Sequence, residues 1–111
     1  MKNPRSKGMR AEHEYELMEQ AKGRLTYRVK GATKFNRNVD IFGLFDLLSI
    51  DGNTKRRYWI QVKSNKRPSK REVQELKEFK FKWLTQMGDY IVWATKIDYE
   101  RKNNGWIEEI I

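Results

Sequence analysis

Two apolar runs separated by a short polar turn place the strongest constraint on this chain. Leu44-Phe45-Asp46-Leu47-Leu48-Ser49-Ile50 leads into Asp51-Gly52-Asn53-Thr54, and Tyr58-Trp59-Ile60-Gln61-Val62-Lys63 leads out. Branched and aromatic residues flanking a turn rich in Asp, Gly and Asn predict a β-hairpin. Symmetric pairing about that turn sets Asp46 opposite Gln61, with Cβ atoms about 5 Å apart. Lys63 then follows on the same face, because strand side chains repeat every second residue. A carboxylate, an amide and an ammonium thereby gather on one patch of an otherwise apolar sheet, where polar groups are costly unless they have partners or a task.

The segments around the hairpin read as a sheet with covering helices. Arg10 to Lys22 sets Ala11, Tyr15, Met18 and Ala21 at helical spacing, with Gly23 as the stop and Glu12, Glu16 and Glu19 on the neighbouring face. Residues 1–10 hold Lys2, Arg5, Lys7 and Arg10 with a Pro, a Gly and no periodicity, and read as a flexible basic arm before a single domain over 11–111. Leu25 to Val29 is a short strand, followed by a basic polar loop from Gly31 to Asn38. After the hairpin, Lys66-Arg67-Pro68-Ser69-Lys70-Arg71 forms a dense basic turn. Ser69 and Glu72 match a capping box that opens a second helix, with Val73, Leu76, Phe79, Trp83 and Met87 toward the core and Gly88 as its end. Tyr90 to Thr95 is nearly continuous in apolar character, as expected of a strand covered on both faces. A turn through Lys102-Asn103-Asn104-Gly105 leads to a last strand, Trp106 to Ile111. A helical crossover between the third and fourth strands makes that pair parallel, so the expected class is α/β with a mixed five-stranded sheet.

At 111 residues the chain is long enough for one core and too short for two. The formal net charge of +9, from 24 Lys and Arg against 15 Asp and Glu, favours a polyanionic partner. A membrane surface is the competitor. No apolar run approaches the length of a span, no signal-peptide pattern is present and no helix is apolar on one face and basic on the other, so the expectation is a soluble cytoplasmic protein. The absence of cysteine excludes disulfides, zinc ribbons, iron-sulfur clusters and thiol nucleophiles. Any metal must be held by oxygen atoms or by His13.

Oxygen donors from Asp46, Gln61 and Glu12 suit Mg²⁺, with Mn²⁺ as a substitute, because Mg²⁺ keeps several waters and takes few protein carboxylates. Hydrolysis of a phosphodiester needs such an ion and a positive charge near the phosphate, a position Lys63 can fill. Asp40 is a rival second carboxylate, although a strand-start residue is its plainer reading. Glu12 lies in the first turn of the expected helix, where the helix dipole favours a carboxylate regardless of role. His13 reads as a solvated helix residue rather than a ligand. Lys66, Arg67, Lys70 and Arg71 adjoin Lys63 and open a helix, where backbone N–H groups also favour phosphate. Trp59, Trp83, Trp93 and Trp106 are able to stack bases, yet their spacings suit the core or an interface.

Taken together, Asp46, the long hairpin, Gln61-Val62-Lys63 and the upstream helical Glu12 resemble the PD-(D/E)XK nuclease superfamily, in particular the archaeal-type Holliday junction resolvases and their phage relatives. The likeness runs from Glu12 to about Trp106 and takes in Gly23, Arg28 and Gly105-Trp106. It implies an αβββαβ restriction-endonuclease-like core, metal held by Glu12, Asp46 and Gln61, and catalytic assistance from Lys63. It also implies DNA contacts from Arg28, Lys30, Lys34 and Arg37 in and beside the basic loop. Phe45 replaces the proline of that family's motif, and Gln61 replaces its Glu or Asp, which removes one negative charge from the metal site. The implied activity is metal-dependent endonucleolytic cutting of branched DNA, most simply four-way junctions, by a homodimer whose two sites match a two-fold substrate. The alternatives are a non-catalytic nucleic-acid binder with a decayed site, or another structure-selective or restriction-type endonuclease on the same fold.

Overall fold

The computed structural model describes residues 4–29, 41–97 and 105–111. Helix α1 spans Pro4–Ala21 and leads through Gly23, at φ +81°, into strand β1, Leu25–Arg28. Strands β2, Leu47–Ile50, and β3, Arg57–Ser64, form the hairpin. Helix α2, Lys70–Trp83, crosses to β4, Asp89–Lys96, and β5, Trp106–Ile110, closes the sheet. The strand order is β1-β2-β3-β4-β5. Only the β3–β4 pair is parallel, as the helical crossover requires, and the architecture is the α/β class expected.

The hairpin adopts the symmetric register, with Leu47 opposite Ile60, Leu48 opposite Trp59 and Ile50 opposite Arg57. Its turn is built by Asp51, whose Oδ1 accepts the N–H groups of Asn53 at 2.9 Å and Thr54 at 3.1 Å. The Asp51 N–H donates to the Arg56 carbonyl at 3.0 Å, and Lys55 takes a left-handed φ of +64°, so the connection runs longer than the four residues expected. Alternation along β3 then divides the core. Ile60 and Val62 face α1 with Leu47, Ala11, Tyr15, Val92, Ala94 and Trp106, and the Tyr15 ring meets Trp106 edge-on at 5.0 Å. Trp59 faces the other side with Phe45, Leu76, Ile91, Trp93 and Phe79.

Three boundaries differ from the sequence reading. Helix α1 begins at Pro4 rather than Arg10; proline at a first helical position loses nothing, since that N–H has no helical partner. Glu12 therefore lies about two turns inside the helix, beyond the reach of the dipole that would explain a first-turn carboxylate. The first hairpin strand starts at Leu47 rather than Leu44, because Ile41 to Phe45 fold into a tight turn through Phe42 at φ +56° and Gly43 at φ +69°. Helix α2 stops at Trp83, well before Gly88. Leu84 leaves the helix at φ −110° and ψ 161° while its N–H still bonds the Lys80 carbonyl, and it is Leu84 that packs against the core. Trp83 and Met87, expected inside, are 66% and 91% exposed. The turn expected at 102–105 falls largely outside the described residues.

Candidate functional site

Asp46 sits at the bend that joins the Ile41–Phe45 turn to β2. Its N–H donates to the Ile60 carbonyl at 2.8 Å, its carbonyl accepts from Val29 at 3.1 Å, and its side-chain Oδ2 accepts the Val62 N–H at 2.8 Å. The carboxylate is thus bound to the backbone between Gln61 and Lys63. Asp46 is 6% exposed and Gln61 8%. The Gln61 amide finds both partners when its nitrogen donates to the Leu44 carbonyl and its oxygen accepts from the Lys63 ammonium at 3.1 Å. The structure therefore brings Asp46, Gln61 and Lys63 together, and the tight Ile41–Phe45 turn supplies the carbonyl that orients the amide.

Glu12 approaches from α1 along a ladder of ion pairs. Glu19, itself buried, receives Arg24 at 2.7 Å and Lys22 at 2.8 Å. One turn earlier Glu16 receives Arg28 at 3.1 Å, on the strand residue paired with Leu47. Glu12 lies one further turn along, half-buried, toward the sheet end that carries Asp46. Among the described residues no three Asp, Glu, His or Cys side chains form a group able to hold a metal. Asp40, Lys30, Lys34 and Arg37 lie outside the described residues. His13 is exposed, with its Nδ1 3.3 Å from Glu16, a solvated helix residue as expected.

As a donor set, a carboxylate and an amide oxygen suit a hard divalent cation rather than a soft one. The set is lean in charge, because Asp46 contributes the one negative group of the pair and the amide oxygen leans on a cation. Lys63, by contrast, is well placed to balance negative charge at this patch.

The basic turn is organised more tightly than its composition suggests. The Ser69 hydroxyl accepts the Glu72 N–H at 3.1 Å and Glu72 accepts the Ser69 N–H at 3.1 Å, completing the capping box. That backbone bond to Ser69, aided by Lys66, holds the Glu72 carboxyl below its usual range. The start of α2 is consequently filled by its own cap, and anion attraction here comes from the cations. Arg67 makes a two-pronged bond to Glu109 at 2.6 and 3.3 Å, Lys66 pairs with Glu72 at 3.4 Å and Arg71 with Glu75 at 3.2 Å. Exposed pairs of this kind contribute roughly 0–1 kcal/mol each, so a phosphate can replace the carboxylate. Lys70 projects into solvent beside them.

Two side chains at this end were hidden in the sequence. The Trp93 indole N–H and the Thr95 hydroxyl both donate to the Lys66 carbonyl at 3.0 Å. Their apolar neighbours made both look like plain core. Asp89 is likewise new: its carboxylate accepts Arg57, the Trp59 indole at 3.0 Å and the Thr85 N–H at 2.9 Å, at the opposite end of the sheet.

No protein-family model matches the chain. No curated protein matches it either. Among solved structures it is similar to Hjc of Archaeoglobus fulgidus, a Holliday junction resolvase from an archaeal hyperthermophile. The TM-score is 0.57 at 24% identity, over 92% of this chain and 70% of that one. At that identity the likeness establishes the fold, a mixed five-stranded sheet flanked by two helices.

Proposed function

We propose that this protein is a Mg²⁺-dependent DNA endonuclease that resolves four-way junctions. The observation that carries the reading is the convergence of Asp46, the Gln61 amide and Lys63 on a fold similar to that of a Holliday junction resolvase. Glu12, Asp46 and Gln61 are the residues that would hold the ion. When bound, Mg²⁺ would polarise the phosphate and lower the pKa of an attacking water. The chain's own groups do the rest. Val62 fixes the Asp46 carboxylate through its N–H, Leu44 fixes the amide, and Lys63 carries the charge that meets a phosphate oxygen. Arg28, Lys66, Arg67 and Arg71, by exchanging carboxylate partners for phosphates, and Lys70, Lys30, Lys34 and Arg37 would bind the flanking DNA backbone.

A junction has two-fold symmetry, so two cuts call for two copies of the site. Phe81, flanked on α2 by Lys77, Glu78 and Lys82, and Trp83 and Met87 at and just beyond the helix end are exposed apolar side chains that a homodimer would cover. A soluble, intracellular location follows from this substrate; no described helix is long and apolar enough to cross a membrane.

Purified protein with Mg²⁺ and labelled four-way junctions, beside matched duplexes, tests the reading. Paired cuts in the junction with slower cutting of duplex are expected, and Asp46→Ala should lower the rate by at least about a hundredfold, the scale on which one essential electrostatic group acts. Equal cutting of both substrates overturns the resolvase assignment. One observation favours a second reading, that of a non-catalytic junction binder: the Lys63 ammonium already occupies one lone pair of the amide oxygen that would face the metal and sets a positive charge beside it. That reading predicts salt-sensitive binding that Asp46→Ala leaves unchanged, with no cutting under any divalent ion.

A further inference from the structure

Lys66 opens the basic turn, and its carbonyl is the anchor on which that turn hangs. The Trp93 indole and the Thr95 hydroxyl reach it from β4 at 3.0 Å each, from side chains 2% and 0% exposed. Two donors fill both lone pairs of one carbonyl oxygen. One residue earlier, Asn65 takes a left-handed φ of +54° and its N–H donates to the Lys96 carbonyl at 2.7 Å. The chain leaving β3 is thus fastened to β4 by three bonds within two residues. Val would fill position 95 of an apolar strand equally well by volume. A hydroxyl in such a place is costly unless it has a partner, and the partner here is the turn.

Thr95 also stands directly across the parallel ladder from Lys63. Paired residues on neighbouring strands share a face, so the hydroxyl lies between the Lys63 position and the cationic turn. Outside this anchor the Lys66, Arg67 and Arg71 side chains pair with Glu72, Glu109 and Glu75, carboxylates that water still reaches. Side chains are free to exchange partners while the backbone beneath them stays fixed.

We propose that Trp93 and Thr95 are positioning residues for nucleic-acid binding: they hold the Lys66–Arg71 turn at a set distance from Lys63, so that its cations meet the phosphates beside the bond at Asp46 and Gln61. The inference rests on the endonuclease reading. Removing one neutral hydrogen bond from the anchor loosens the turn and leaves Asp46, Gln61 and Lys63 intact.

The test measures equilibrium binding of the full chain to a labelled four-way junction in EDTA, then the cleavage rate at saturating protein with Mg²⁺. Thr95→Val, which keeps volume and removes the hydroxyl, should weaken binding about fivefold while the saturated rate stays within about twofold. Thr95→Ser should restore binding, and Trp93→Phe should shift it in the same direction as Thr95→Val. In a background with Lys66, Arg67, Lys70 and Arg71 all changed to Ala, the Thr95→Val effect should vanish. Urea unfolding separates binding loss from unfolding, and Trp93→Phe serves if Thr95→Val fails to fold. Unchanged binding in both variants, or an undiminished effect in the four-alanine background, overturns the proposal. Wild type that neither binds nor cuts any DNA overturns the endonuclease reading instead, a result visible before any variant is made.

Discussion

On the proposed endonuclease reading, Gln61 is the residue on which the chemistry turns. Its amide is neutral, its nitrogen is used by the Leu44 carbonyl and its oxygen by Lys63. A glutamate at this position would keep the bond to Lys63 as an ion pair and add a negative charge to the patch proposed to hold the metal. It would also set a carboxylate oxygen against the Leu44 carbonyl, two acceptors with no proton between them, at a cost of about 1–3 kcal/mol. Gln61→Glu is therefore expected to reach half-maximal cleavage at a several-fold lower Mg²⁺ concentration while losing urea stability. Both are read from one preparation, by a metal titration and an unfolding curve. Tighter metal use without a stability loss would mean that the amide is not held by Leu44, and no change in metal dependence would remove residue 61 from the metal site. Lys63 shows why the sequence carried this much. Strand periodicity fixed its face relative to Gln61, whereas the carbonyl that orients the amide came from a turn at 41–45 with no apolar-polar pattern to announce it.

At the scale of elements, what could be read were periods and caps. The hairpin register, the capping box at Ser69 and the parallel crossover each follow from a local rule, and each is present. The end of α2 was misplaced because helical periodicity continues through Trp83 and Met87, while the chain is pulled out of the helix by a carboxylate five residues beyond Leu84. Asp89 does this by accepting the Thr85 N–H and clamping Arg57 and Trp59 at the start of β3. Nothing in the sequence marks such a long-range tie. Burial raises the Asp89 pKa, but the hydrogen bonds from Arg57, Thr85 and Trp59 outweigh it and leave the carboxyl below its ordinary value of 3.8. A depressed folded value contributes stability that is whole above the unfolded pKa and is lost as pH falls through the folded one. Wild type should accordingly lose stability steeply below about pH 4. Asp89→Asn should be less stable at neutral pH by about 1–3 kcal/mol, because the buried carboxylate gives up its charge-assisted bond from Arg57, and should show a shallower acid limb. Urea midpoints across that pH range decide it; parallel acid limbs in the two proteins would assign the acid sensitivity to other carboxylates.

The whole molecule combines a charge of +9 with an apolar surface placed away from the candidate site. Phe81 lines a groove of about 540 Å³ with Lys77, Lys80, Leu84, Gln86 and Ile111, and Trp83 and Met87 are exposed at and just beyond the end of α2. Two copies meeting here would bury these exposed apolar side chains, and Glu78 offsets part of the repulsion between two surfaces that each carry Lys77 and Lys82. A dimer doubles the number of cations that a single junction can engage. Since the logarithm of affinity falls with the logarithm of salt in proportion to the phosphates neutralised, the dimer should show about twice the salt slope of a monomer on the same DNA. Trp83→Glu combined with Met87→Glu adds four charges across the paired surface and removes its apolar contacts. The double variant is expected to sediment as a monomer with unchanged folding, since both side chains are already in solvent. Its junction-binding slope against salt should fall by about half, and its cuts should become uncoupled, one strand nicked without the other. A wild-type protein that sediments as a monomer at junction-binding concentrations, with the steep slope intact in the variant, would place the second active site elsewhere and leave α2 with a different partner.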